Sequence, residues 1–221
     1  MKARLHNTHT TMIKKFLVSA SCLVMGLMNL PAQTHANPAA ANDNPLAGLN
    51  LGDSTGSPSG ASTTPSPFVA KFKGHLLVMD HGTPKDFDAS TLKDVKYWAF
   101  YYSASWCGPC RAFTPQLVDF YKYFKKSHPN FEVIFVNEDR SEDAMLAYMK
   151  MDEMSWPAVR FSDIHDPGLG AKKYCGGGIP DLVLTDENGK VLSDSFHGQE
   201  YVGPTQVMED IKKMVPRPEG N

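Results

Sequence analysis

Cysteine is scarce in this chain, four in 221 residues, and only Cys107 and Cys110 stand at a spacing that carries chemistry. No second Cys-x-x-Cys and no His-x-x-x-His occurs, so the pair lacks the two further ligands that a zinc site would need. The eight histidines form no metal pattern. Met145, Met149, Met151 and Met154 fall at helical spacing and read as core and surface filler rather than as a copper site. These patterns call for no metal and no cofactor.

Long unbroken apolar runs are also missing. Phe16 to Leu30 is interrupted by Ser19, Ser21, Gly26 and Asn29, and no basic stop-transfer residues follow it, which argues against a membrane anchor. With Met12-Ile13-Lys14-Lys15 before it and Thr34-His35-Ala36 after it, residues 1–36 read as a signal peptide, and Cys22 falls within the removed segment. Those residues hold four basic and no acidic side chains, so the mature chain has 18 basic against 24 acidic residues, a net charge of −6. An acidic balance argues against nucleic acid and against an anionic membrane surface as partners. Export places the domain in the periplasm or outside the cell. There Cys107 and Cys110 tend to be joined, and Cys175 is left as an odd thiol.

Residues 37–67, rich in Ala, Asn, Gly, Ser, Thr and Pro, read as a flexible linker. A single folded domain is expected over 68–216, followed by a disordered tail at 217–221. Alternation of Phe68, Ala70 and Phe72 with polar or smaller neighbours, then Leu76 to Met79, predicts two short strands, or one bent at Gly74. Asp88 or Ser90 caps a short helix. Tyr97 to Ser103, apolar at nearly every position, is a central strand covered on both faces. The run from Arg111 to Lys126 puts Phe113, Leu117, Phe120 and Phe124 on one helical stripe, with a kink expected at Pro115. A strand at Phe131 to Val136 follows, and then a helix opened by Ser141 and reaching about Met151. Leu182 to Ser193 makes a hairpin turning at Asn188-Gly189, and Thr205 to Val215 is a closing helix.

The chemistry sits in Trp106-Cys107-Gly108-Pro109-Cys110, where a strand hands two thiols to a helix N-terminus. The helix end supplies partial positive charge and unpaired backbone N–H groups, and both favour thiolate over thiol at the first cysteine. A three-residue spacing closes too small a loop to restrain an unfolded chain much, so a bridge here makes sense as a working disulfide.

These residues, with Pro115 in the following helix and Ile179-Pro180 before the hairpin, resemble the thioredoxin fold, an α/β architecture with a central mixed β-sheet flanked by helices. Phe100-Tyr101-Tyr102-Ser103-Ala104-Ser105-Trp106-Cys107, with Arg111, Phe113-Thr114-Pro115-Gln116-Leu117 and Phe120-Tyr121, is similar to the tryparedoxin and nucleoredoxin branch. The resemblance implies a cis Ile179-Pro180 bond lying against the cysteine pair, with the Ile179 backbone turned outward to receive an extended substrate segment. It also implies that Cys107 attacks and Cys110 resolves a mixed disulfide. Trp106 would cover one side, while Gly108 allows close approach and Pro109 fixes the turn into the helix.

Three departures stand out. Tyr101 occupies the position where thioredoxin carries a buried acid. Asn137-Glu138-Asp139 replaces the branch's usual Trp-Asp-Glu and leaves Glu138 as the candidate for proton transfer. Asp181 follows Pro180 where thioredoxins commonly have threonine, altering the packing beside the pair. Cys175, five residues before Pro180, is expected near the active face, either as an idle small residue or as a regulatory thiol.

Gly108-Pro109 is closer to the reducing than to the oxidising type, which points to a reductase of disulfide-containing proteins with a membrane-embedded thiol electron donor as partner. Two other readings stay open on the sequence: a disulfide oxidase or isomerase, and a binding module whose pair is permanently oxidised.

Overall fold

The structure, a computed structural model, describes residues 66–219. The expected signal peptide and residues 37–65 of the expected linker lie outside the described residues. Within them the chain order is α1 (Pro67–Phe72), β1 (Leu76–Asp80), β2 (Thr83–Asp86), a 3-10 turn at Ala89–Leu92, β3 (Tyr97–Ser103), α2 (Gly108–Ser127), β4 (Phe131–Asn137) and α3 (Glu142–Met151). There follow β5 (Ala158–Val159), β6 (Asp181–Asp186), β7 (Val191–Asp194), β8 (Phe196–His197), β9 (Glu200–Tyr201) and α4 (Pro204–Met214). Seven strands form one sheet in the order β2-β1-β5-β4-β3-β6-β7. It is mixed: β3 runs parallel to β4 and antiparallel to β6.

Strand β3 is apolar or aromatic up to its last residue, Ser103, because both of its faces are covered, and side chains two apart share a face. Ala99 and Tyr101, with Val133, Phe135, Leu182 and Leu184, pack against Phe113, Leu117 and Tyr121 of α2, Met145 and Met149 of α3, and Val207 and Ile211 of α4. Trp98, Phe100 and Tyr102, with Ile134, Val136 and Val183, pack against Val69 and Phe72 of α1 and against Leu92, Ile164 and Leu169. Met154 is buried too, while Met151 faces solvent.

Three expectations need correction. Phe68 to Phe72 is a helix rather than a strand; Ser66 caps it by accepting the Phe68 N–H, and Val69 and Phe72, three apart, turn to the core. Ser66 also donates to the Glu187 carbonyl, so the expected linker gives way to the fold before Pro67. Pro115 does not divide α2, which runs unbroken for 20 residues. The proline is exposed, and so is Arg111, whose carbonyl loses its intrahelical donor. Two hairpins that the alternation did not reveal, β1–β2 and β8–β9, complete the architecture.

Candidate active site

Strand β3 ends at Ser103, the chain passes through Ala104 to Trp106, and Cys107 becomes the N-cap of α2. Its sulfur accepts the Cys110 N–H at 3.2 Å, a bond that satisfies one of the open donors of the helix end. Gly108 and Pro109 fill the first two helical positions, where a proline loses nothing by lacking an N–H. Cys107 and Cys110 are joined as a disulfide with Cα atoms 5.2 Å apart. Cys110 is fully buried and Cys107 retains 6% exposure, so Cys107 is the sulfur that solvent can reach.

The Ile179-Pro180 bond is cis, and the Ile179 carbonyl oxygen lies 3.7 Å from Cys107 Sγ. In the disulfide that sulfur has no hydrogen to donate; once reduced, it would be a thiol or thiolate beside the same carbonyl. Ile179 packs against Ala104 and the two cysteines. Trp106 is 59% exposed, and its Nε1 donates to the Glu138 carbonyl at 3.2 Å, which fixes how the ring is presented. Trp106, Glu138, Cys175, the three glycines 176–178 and Ile179 line a cleft of about 240 Å³ beside the pair.

Beneath the disulfide, four hydroxyl groups replace the acid that Tyr101 displaces. Thr114 Oγ1 donates to the Cys110 carbonyl at 2.9 Å, because a carbonyl can only accept. Thr114 therefore accepts from Tyr101 at 2.7 Å and from Tyr148 at 2.5 Å. With its own proton committed, the Tyr148 oxygen accepts from Ser103 at 3.0 Å. Burial raises the pKa of both tyrosines above the ordinary phenol range, so the network is neutral. Thr114 and Tyr148 were not singled out by sequence reasoning; their separation from Tyr101 along the chain hides the cluster.

Glu138 lines the same cleft as Trp106 and Ile179. Its carboxylate pairs with Lys172 and receives the Cys175 thiol at 3.7 Å, and neither sulfur of the pair is among its partners. Cys175 shares the cleft with Trp106 and Ile179. Burial first, and then the Glu138 charge, push its thiol up to about 11, so it stays protonated and weakly nucleophilic at neutral pH. Asp139, whose Oδ1 accepts the Ser105 N–H at 2.9 Å and the Ser105 hydroxyl at 2.7 Å, pins the turn that leads into Trp106. Asp181 is wholly buried, and burial raises its carboxyl to about 6 despite the Gly176 N–H that it accepts.

Comparison with known proteins agrees with this geometry. The family model described as Thioredoxin-like matches residues 94–191. Nucleoredoxin of Xenopus laevis is 34% identical over 147 residues, covering 66% of this chain and 32% of that protein. Human nucleoredoxin is 36% identical over 129 residues, covering 58% of this chain and 28% of that protein. The chain thus spans about a third of the length of the curated relatives it matches. Among solved structures, tryparedoxin II from C. fasciculata is 30% identical with a TM-score of 0.50, over 69% of this chain and 97% of that one. With its mixed sheet, its Cys-Gly-Pro-Cys helix start and these relatives, the chain belongs to the thioredoxin-like family of redox proteins, as a relative of the nucleoredoxins and tryparedoxins.

Proposed function

We propose that this protein is an exported thiol-disulfide oxidoreductase that reduces disulfides in proteins. The observation that carries the reading is the asymmetry of the pair: Cys107 at the helix cap beside the Ile179 carbonyl, and Cys110 sealed beneath it. In the reduced protein the Cys107 thiolate attacks one sulfur of the substrate disulfide. A Cys107–substrate bond forms, and the first substrate thiolate leaves. Cys110 then loses its proton and attacks Cys107 Sγ, the mixed bond breaks, and the second substrate thiolate departs. Two electrons have passed to the substrate, and the protein is left with the disulfide seen here. The substrate segment lies across the cleft between Trp106 and Ile179, its backbone paired with that of Ile179.

The direction rests on Gly108-Pro109, and export rests on the signal-peptide pattern of residues 1–36. An exported reductase must be recharged, and a membrane-embedded dithiol is the donor that fits. Insulin reduction by the full chain, with dithiothreitol as donor, tests the activity. Cys107→Ser abolishes it, and Cys110→Ala accumulates a mixed disulfide with the substrate. A reduction potential near about −270 mV supports the reductase, whereas one near about −120 mV reverses the direction to oxidation. Fractionation with N-terminal sequencing tests export, with a mature chain beginning near Asn37 expected.

A further inference from the structure

The segment from Cys175 to Ile179 forms one wall of the cleft and is held from behind at three points. Asp181 Oδ2 accepts the Gly176 N–H at 2.7 Å. The Phe196 ring lies over Gly176 so closely that an added Cβ would come within 2.3 Å of it. The Tyr201 hydroxyl donates to the Pro180 carbonyl at 2.7 Å, and its ring packs on Phe196 with centroids 5.0 Å apart. The front of the wall is open. Among the described residues no hydrogen bond engages the N–H groups of Gly177, Gly178 or Ile179.

Asp181 itself is an expensive choice. It is fully buried, and among the described residues its Oδ1 has no partner and no cation faces it. The groups that do face it are Asp194 of β7, Ser195, Cys175, Tyr102 of β3 and Tyr201 of β9. An uncharged side chain would pack there at lower cost. What the carboxylate supplies is a strong, charge-assisted acceptor for one loop amide.

We propose that Asp181 is a positioning residue for extended disulfide-bearing substrates: by holding the Gly176 amide it sets the Gly177–Ile179 backbone as the edge on which a substrate strand pairs, and protonation weakens that hold. This rests on the thiol-disulfide reading above. Burial raises the carboxyl to about 6, so the hold is charge-assisted at neutral pH and weakens to that of a neutral acceptor as the medium acidifies through that value.

The test compares insulin with bis(2-hydroxyethyl) disulfide, which is too small to pair along the edge, and takes the ratio of the two kcat/KM values so that thiolate effects at Cys107 cancel. Asp181→Thr lowers that ratio about tenfold, through KM for insulin, as loss of one charge-assisted bond predicts. Asp181→Asn keeps an acceptor oxygen but cannot titrate. The wild-type ratio therefore falls severalfold between about pH 7.5 and about pH 5, while that of Asp181→Asn stays level. If Asp181→Thr fails to fold, the Asn comparison decides. Equal losses on both substrates, or the same pH dependence in wild type and Asp181→Asn, overturn the proposal. A readout free of activity separates it from the parent reading. The Gly176 amide proton resonance of the full chain titrates with the carboxyl in wild type and not in Asp181→Asn. If it titrates in neither, the hold does not exist, even should insulin reduction succeed.

Discussion

The two ends of the central strands bury carboxylates in opposite ways. At the end where β4 begins, Glu132 is fully provided for: Oε1 accepts from the Tyr121 hydroxyl at 2.6 Å and from the Val133 N–H at 3.0 Å, and Oε2 pairs with Lys125 at 3.0 Å. At the other end, around the disulfide, Asp181 Oδ1, Asp139 Oδ2 and both side-chain polar atoms of Asn137 are buried without partners among the described residues. Native interiors seldom leave such groups unpaired, because each costs about 1–3 kcal/mol. The buried carboxylate at the end that carries no chemistry has both oxygens satisfied, whereas Asp139 and Asp181, at the end that carries the sulfurs, each keep one oxygen without a partner among the described residues. Asp139 and Asp181 each use their other oxygen to hold a backbone N–H beside the redox pair, that of Ser105 and that of Gly176.

The largest way to break this contrast is at the satisfied end. Lys125→Met strands a carboxylate that is 4% exposed and also removes a donor to the Phe131 carbonyl. Loss of one partner of a buried pair, discounted for the partly exposed lysine, predicts a fall of about 2–4 kcal/mol in unfolding free energy by urea titration. Insulin reduction by the folded fraction stays at the wild-type rate.

Asp181 gives the next effect, and its sign is opposite to that of an ordinary paired carboxylate. The unfolded chain releases this proton near the usual 3.8, and the folded protein near about 6. Between those values the folded state binds more protons, so its stability falls as pH rises. The contribution is fully present below about 4 and gone above about 6, a total of roughly 3 kcal/mol. The difference in unfolding free energy between wild type and Asp181→Asn should therefore drift by that amount over this window. A flat difference would show that the carboxyl is not perturbed.

Thr114→Val is smaller. It leaves the Tyr101 and Tyr148 hydroxyls without their shared acceptor, a loss of about 1–3 kcal/mol that Thr114→Ser largely restores.

How much of this was legible in the sequence differs between the same two kinds of region. The aromatic strand β3, the stripe of α2, the Ser141 cap of α3 and the Asn188-Gly189 turn are each dictated by local pattern, and the structure has them where the pattern puts them. Helix α1 was misread because six residues supply too few turns to separate a period of two from a period of 3.6. Strand β2, Thr83-Pro84-Lys85-Asp86, is exposed along its whole length and so shows no alternation. The cis Ile179-Pro180 bond was reachable through family resemblance and not through propensity. The hydroxyl cluster was illegible, since Thr114 and Tyr148 meet only when α2 and α3 pack on the same sheet face. The pairing of the Glu138 carboxylate with Lys172 was equally illegible, since the two residues lie 34 positions apart.

Trp106 is the residue at which stability and function should separate most cleanly. Its ring is 59% exposed and makes one described hydrogen bond, to the Glu138 carbonyl, so truncation uncovers little apolar surface. Trp106→Ala is expected to change unfolding free energy by no more than about 0.5 kcal/mol. The same truncation removes one side of the cleft that faces Cys175 and Ile179, and with it the apolar surface against which a bound segment would exclude water. KM for insulin should rise severalfold while kcat and the reduction potential hold, because neither sulfur nor the α2 cap has been touched. A loss confined to kcat would instead assign the ring to the exchange step and move Trp106 from the wall of the cleft to the chemistry of the pair.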